Sequence, residues 1–427
     1  KFDDLKNSTY LKLDRYDQLL VEMLRSVVND ELINKINSYS SEEWSQLLDR
    51  SMMNGVTALL WNNLKSFKHL VNIPAEIADK MTDSLVQSTG RGIIIHNQLK
   101  ELLTNFSENN IQVIILKGAH LAEEIYKNLY VRQMFDIDIL VKKHDLPRLN
   151  RSLREIGYKP IFVDGTNPKI ESQFPYSPPK SGVRLELHTS LKSTVMTGFL
   201  DEEALWARAR TLSIDGIETL VLAPEDLLLH LCYHISYHLY RHFGLRTLCD
   251  ISEVIHFHNN KINWNQIVDC ADNRHIKKNI FSTLLPTKIW LNDNIPDDVL
   301  NELTPRDFNP EIMKWIKSQI FDGRGQYYIR STKIPELVSS EKLANKIVII
   351  LRGIIPSKGQ IARKYGIKSN SVRVYLYYLL HIMDMVRRHY RTMIKLLKND
   401  EVVVNIAKKE YEREREKNAL REWFIRE

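Results

Sequence analysis

Residues 111–141 read IQVIILKGAHLAEEIYKNLYVRQMFDIDILV, and the hydrophobic period changes twice within them. Ile111–Leu116 (IQVIIL) is a short β-branched apolar run, long enough for a buried strand and too short for an independent helix. Lys117-Gly118 breaks it, and from Ala119 to Tyr130 the apolar residues Leu121, Ile125 and Leu129 return to helical spacing. Phe135–Val141 (FDIDILV) then alternates: Asp136, Asp138 and Leu140 share one face of a strand, and Ile137, Ile139 and Val141 the other. A helix is predicted from about Leu146 to Ile156, stopped by Gly157, and then a strand from Tyr158 to Val163. Strand, helix, strand, helix, strand in close succession is the grammar of a small sheet-based domain.

Upstream, Tyr10 to about Leu103 is helical in pattern: Leu19, Leu20, Val21, Met23, Leu24 and Val27 recur at helical spacing, as do Ala58, Leu59, Leu60 and Leu64. Ser40 and Ser41 before Glu42, Glu43 and Trp44 form a capped helix start. Downstream, Asp164–Gly182 holds Pro168, Pro175, Pro178 and Pro179, and is expected to be irregular, a substrate-facing flap or a disordered loop. Val183–His188 (VRLELH) resumes alternation, with Val183, Leu185 and Leu187 on one face and Arg184, Glu186 and His188 on the other. After Pro224 the pattern is helical almost to the end, and Lys408–Arg426, dense in Lys, Arg and Glu, is expected to be a solvated helix rather than a nucleic-acid-binding tail. The expectation is an α+β fold: a mixed-sheet core at 104–222, a helical N-terminal region at 1–103, and helical regions at 223–300 and 301–427.

The 427 residues are 43% apolar and 26% charged, with 15 Gly and 14 Pro, an ordinary globular composition with room for roughly two to four domains. Sixty basic residues nearly cancel 53 acidic ones, so the net charge of +7 permits anionic substrates without requiring nucleic acid. Cys232, Cys249 and Cys270 show no CxxC spacing and leave an odd thiol, which argues against a disulfide framework and a zinc site and for a reducing cytoplasm. No apolar run approaches the roughly 18 residues that cross a bilayer, and no signal-like apolar core follows the N-terminus, so neither membrane insertion nor export is expected.

Asp136 and Asp138 project like charges from one face of an apolar strand, and something positive must offset their repulsion. A divalent cation does so economically, with magnesium preferring oxygen ligands; the plainer alternative is a solvent-facing edge strand with two incidental acids. Lys117-Gly118 lies between a strand and a helix, where free N–H groups favour phosphate, or it is an ordinary turn using glycine for its dihedrals. Glu186 stands between Leu185 and Leu187, where burial without a partner is costly; alternatively it pairs with Arg184 or faces water. Arg132 offers phosphate a guanidinium fork or is a surface arginine, and Lys117 either serves likewise or points away. His188 is placed to take a proton from an acceptor, to bind nucleotide, or to make a structural hydrogen bond. His230, His234, His238 and His242 recur every four residues at a spacing zinc sites use, but without the HExxH glutamate. The expectation is that part of this stripe lines a cleft, with Arg246 and Asp250 as partners.

The order of strand, glycine turn, helix, DxD strand and later acid-bearing strand resembles the polymerase-β nucleotidyltransferase superfamily. More narrowly, LKGAHLAEEIY, Arg132, DIDILV, Gly157-Tyr158 and LELH resemble a bacterial family of uncharacterised nucleotidyltransferases. The likeness extends through WSQLLDRSMMNGVTALLW at Trp44–Trp61 and the HxxxH helix after Pro224, although the specific motifs lie in the centre of the chain. The resemblance implies that Asp136 and Asp138 bridge two magnesium ions while Glu186 holds the catalytic ion near the acceptor's nucleophile. It implies that the turn of Lys117, Gly118 and Ala119 contacts the β and γ phosphates. The reaction implied moves an NMP from an NTP, with ATP first in expectation, to a small molecule, peptide, protein side chain or RNA end, releasing pyrophosphate. Two departures stand out: Ala119 follows Gly118 where the superfamily has Gly or Ser, and the interval to Asp136 is longer than usual. The alternatives are a catalytically silent nucleotide-binding or regulatory protein on the same fold, and a helical nucleic-acid binder built on the C-terminal half. Tyr375, Tyr377 and Tyr378 there have spacings better explained by packing.

Overall fold

A computed structural model of the protein describes residues 9–25, 29–161, 173–191, 202–241, 243–321, 358–365, 371–381, 383–384, 387 and 401–425. The chain forms two compact units, residues 1–323 with 424–427, and residues 324–423. The first opens with helices α1 (Arg15–Leu24), α2 (Asp30–Asn37), α3 (Ser41–Met53) and α4 (Thr57–Leu64). The Ser40 hydroxyl accepts from Glu43 N–H and the Glu43 carboxylate from Ser40 N–H, which is the capped start the sequence signals. Helix α5 (Ala75–Glu108) follows, 34 residues long, and passes through residue 103.

Seven strands form one mixed sheet: β1 (Val113–Ile115), β2 (Asp136–Val141), β3 (Lys159–Pro160), β4 (Gln173–Ser177), β5 (Arg184–His188), β6 (Arg210–Ile214) and β7 (Ile217–Val221). Their order is β3-β4-β5-β2-β1-β7-β6; β2 runs parallel to β5 and β1 parallel to β7, and the other pairs are antiparallel. Between them lie α6 (Lys117–His120, continued by a wider turn over Leu121–Ile125), α7 (Leu146–Glu155) and α8 (Glu202–Arg208). The alternation decides which face is core. Ile137, Ile139, Val141, Leu185 and Leu187 are fully buried against Ile95, Leu99, Leu102 and Phe106 of α5 and Leu149 and Leu153 of α7. Each such side chain contributes about 1.5–3 kcal/mol of burial, which locks the strand register.

Three local departures from the sequence reading have physical causes. The helix expected through Tyr130 stops at Ile125, and Lys127 turns left-handed at φ 48°. The following loop crosses α5 at Gly92, where a Cβ would stand 2.1 Å from the Leu129 carbonyl oxygen. The proline-rich segment contains β4, despite Pro175. The Pro175 carbonyl accepts from Ile161 N–H, so the ring's missing donor faces the two-residue β3 and leaves the longer β5 ladder untouched. Of the strand expected over 158–163, Lys159–Pro160 pairs with β4, and residues 162–163 lie outside the described residues. The hairpin β6–β7 turns on Asp215 (φ 49°) and Gly216 (φ 83°), the left-handed pair that two-residue hairpins require.

Helices α9 (Pro224–Tyr237), α10 (Gly244–His258), α11 (Trp264–Asn273), α12 (Lys277–Leu291), α13 (Asp297–Leu303) and α14 (Glu311–Phe321) complete the unit. The Trp290 indole donates to the Leu11 carbonyl at 2.9 Å, tying α12 to the N-terminal helices. In the second unit, α15 (Lys358–Lys364) is followed by a helical stretch at 373–381, and the Tyr365 and Tyr377 rings stack at 4.7 Å. The charged terminal segment is helical as expected: α16 (Glu401–Ile425) has Leu420 and Trp423 buried among mostly exposed or half-exposed neighbours. Among the described residues no helix is long and apolar enough to cross a membrane, and all three cysteines are free.

Candidate active site

Parallel pairing of β2 with β5 sets Asp136 opposite Arg184, Asp138 opposite Glu186 and Leu140 opposite His188. Partners in register project to the same side, so Asp136, Asp138, Arg184, Glu186 and His188 share the face away from the apolar core. The β1 ladder continues one step past its last strand residue, Leu116 N–H donating to the Asp138 carbonyl at 3.0 Å. The chain therefore leaves β1 beside Asp138. Lys117, the next residue, takes a left-handed backbone at φ 43°, a conformation L-residues adopt at a cost and hold where the surroundings enforce it. Its ammonium donates to Asp138 Oδ1 at 2.8 Å.

On the other side, the Gln98 side chain of α5 clips the entry to β5: its amide donates to the Val183 carbonyl at 2.8 Å and its oxygen accepts from Val183 N–H at 2.9 Å. A Cβ on Gly182 would stand 2.5 Å from that oxygen, so glycine is needed there for the close approach.

The cluster is electrostatically loaded. Burial opposes ionisation of Asp138, but Lys117 and the His188 ring, whose Nε2 lies 2.7 Å from the same Oδ1, hold its carboxyl well below the usual range. Asp136 responds the opposite way: burial and the charges of Asp138 and Glu186 push it up to about 6. Glu186 is 8% exposed, and its Oε1 pairs with Arg184 Nη2 at 2.6 Å, the pairing weighed from sequence. Ligand atoms of Asp138, Glu186 and His188 all lie within 4.8 Å of one another, the spacing of a cation site. Asp136 is on the same face and senses both acids but is not within that group of three.

Gly118 and Ala119 are buried in the first turn of α6. Gly118 has no left-handed backbone; a Cβ there would lie 2.9 Å from Arg132 Nη1 and 3.2 Å from Met134 Cγ, so the residue is small for space. The structure places Arg132 inside the protein: Nε and Nη2 donate to the two oxygens of Asp250 on α10, each at 2.8 Å, and the Tyr126 hydroxyl adds a third bond at 3.0 Å. Nη1 is the edge that remains toward Gly118. Arg246 donates to the Gln133 carbonyl and lies 4.4 Å over the Phe243 ring; burial and Arg132 push it down to about 10.

The histidine stripe reaches this neighbourhood from α9. His230 is buried, neither ring nitrogen has a hydrogen-bond partner, and burial together with Lys117 and His188 pushes it down to about 3. His234 is likewise driven well below its ordinary value by burial, Lys117 and its histidine neighbours. His242 lies outside the described residues. Among the described residues no metal-spaced group includes a stripe histidine. Sequence reasoning did not find the Lys117–Asp138 and His188–Asp138 contacts, which depend on the β1–β2 and β2–β5 pairings that no local motif announces.

The class the chain falls in is that of the nucleotidyltransferases. The family described as uncharacterised nucleotidyltransferase matches residues 40–292, more than half of the chain, and the chain belongs to it. No curated protein matches the chain.

Proposed function

We propose that the chain moves a nucleoside monophosphate from an NTP, ATP first among them, to an acceptor, in the manner of polymerase-β enzymes, with Asp136, Asp138 and Glu186 holding two magnesium ions. The observation that carries this reading is the β2–β5 register, which brings the three acids to one buried face beside the Lys117 turn. The donor set fits a divalent cation: ligand atoms of Asp138, Glu186 and His188 lie within 4.8 Å of one another, Asp136 shares their face, and Lys117 and Arg184 are drawn to the same acids. Bound there, such ions would stabilise the attacking and leaving oxygens of phosphoryl transfer.

The chain's own residues supply the rest. Lys117 is a point charge on a long stem, able to leave Asp138 for the triphosphate once the carboxylate has another partner. The first turn of α6 leaves its N–H groups without intrahelical partners, which supports backbone contacts from Gly118 and Ala119 to phosphate. Arg132 acts through its remaining Nη1 while Asp250 fixes its orientation. His188, bonded to Asp138, orients that carboxylate. The acceptor is a small molecule, peptide, protein or RNA end, and the three free thiols suit a cytoplasmic setting.

Calorimetric titration with each NTP and magnesium tests the reading: the parent binds, and Asp136→Ala and Asp138→Ala do not. Equal binding by parent and variants sinks it. Incubation with α-labelled NTPs and a host lysate separates an enzyme, which labels an acceptor, from a silent nucleotide-binding protein, which binds without labelling.

A further inference from the structure

The two cation positions on this face differ in the atoms they offer. Asp136 and Asp138 present oxygen alone. Asp138, Glu186 and His188 present two carboxylate oxygens and an imidazole nitrogen, all within 4.8 Å. His188 is 12% exposed and Asp138 5% at the side chain, and the imidazole approaches Asp138 through Nε2 at 2.7 Å. Glu186 and His188, two apart on β5, are held to the same side by the strand period, so the nitrogen belongs to the cluster by construction.

A second observation points to the same place. His230 enters from α9, more than nine-tenths buried, with both ring nitrogens lacking a partner, and the charges it senses most are Lys117, His188 and Asp138. Orphaned polar atoms in a protein interior are rare and each requires an explanation. A ligand sphere beside it, with water or phosphate oxygens to hydrogen-bond, gives these atoms their partner.

Magnesium takes oxygen ligands in near-ideal octahedra, whereas imidazole suits ions of the first transition series, for which affinity rises from manganese toward copper. We infer that the position framed by Asp138, Glu186 and His188 takes a first-row transition-metal ion, with Mn²⁺ as the most stringent probe, in preference to magnesium, while the all-oxygen position of Asp136 and Asp138 takes magnesium with the nucleotide. His188 is then a metal ligand rather than a proton acceptor, and His230 hydrogen-bonds the oxygen ligands completing that ion's sphere. The inference rests on the proposed function and specifies the metal chemistry of the same site.

The test uses the full chain freed of metal and titrated with Mn²⁺ alone, then with millimolar Mg²⁺ present, following free Mn²⁺ by electron paramagnetic resonance. One Mn²⁺ per chain is retained against excess Mg²⁺, and pulsed spectra of the bound ion carry the ¹⁴N coupling of an imidazole. His188→Gln lowers Mn²⁺ affinity by at least about tenfold and abolishes the coupling. The pulsed spectrum is recorded on the parent, so the result holds whether or not a variant folds. Displacement of Mn²⁺ by equimolar Mg²⁺, or a bound ion without nitrogen coupling, overturns the inference. If Mg²⁺-dependent NTP binding survives that result, only the metal assignment falls; if the parent binds neither metal nor NTP, the proposed function falls with it.

Discussion

Asp138 and Asp250 are both buried aspartates facing cationic side chains, yet they are built differently. Asp250 engages both oxygens: Arg132 meets them as a rigid fork, with Tyr126 completing the shell. Asp138 receives Lys117 and His188 on a single oxygen, with Asp136 and Glu186 close enough to repel it. A planar guanidinium holding two directed bonds is a fixed structural tie, whereas a lysine at the end of a four-carbon stem exchanges partners readily. Burial therefore does not distinguish these two acids; the saturation of their oxygens and the company of like charges do.

That contrast can be broken by experiment. The largest expected effect is on turnover: Asp138→Asn lowers it by about a thousand-fold, while unfolding free energy in urea falls by about 1–2 kcal/mol, because the amide oxygen still accepts hydrogen bonds and weaker repulsion from Asp136 and Glu186 partly offsets the lost attraction to Lys117 and His188. Asp250→Ala reverses the pattern, stranding the Arg132 guanidinium in the interior and costing about 3–5 kcal/mol in the same denaturation experiment. Comparable stability losses for the two variants would erase the distinction.

Next in size is Gly118→Ala, whose methyl group meets Arg132 Nη1; displacement of that fork costs about 1–3 kcal/mol, read as a lowered Tm. An unchanged Tm would mean that the fork has slack.

The smallest effect is a pH dependence away from both centres. His96 Nδ1 lies 2.7 Å from Glu123 and Nε2 3.2 Å from Asp215. Burial opposes its charge, but the two carboxylates prevail and raise its pKa above the ordinary 6.5. A raised pKa in the fold stabilises fully below the unfolded value and ceases to do so as pH climbs through the folded one. Urea midpoints should therefore fall from about pH 6 to about pH 8 in the parent by more than in His96→Gln. Parallel pH profiles would show that His96 contributes nothing to the dependence.

The legible parts of the molecule were those written locally. FDIDILV and VRLELH alternate with period two, and the structure keeps both face assignments because Ile137, Ile139, Leu185 and Leu187 have only one core to enter. The Ser40 cap and the stop at Gly157 were readable for the same reason, since each is satisfied within one turn of chain. Strand β4 was hidden because Pro175 argues against a strand until one knows which neighbour its missing N–H faces. Hairpin β6–β7 is marked locally only by Asp215-Gly216, because Arg210, Thr211, Ser213 and Thr219 interrupt the apolar residues of its strands. Partnerships across long separations had no local trace: Arg132 finds Asp250 across 118 residues and Lys117 finds Asp138 across 21. For that reason Arg184, two residues from Glu186, could be weighed as its partner from sequence while the partners of Asp138 could not.

The length of α5 has a consequence for how this protein can be rearranged. A rod of about 50 Å, at 1.5 Å per residue, carries on one continuous backbone the groove at Gly92 that seats the Leu129 carbonyl and the Gln98 clip at β5. No joint lies between the N-terminal helices and the sheet, so a gene fusion or excision with its seam near residue 103 cuts through the rod and takes both anchoring points from the acid-bearing strands. The two regions are inherited together or not at all.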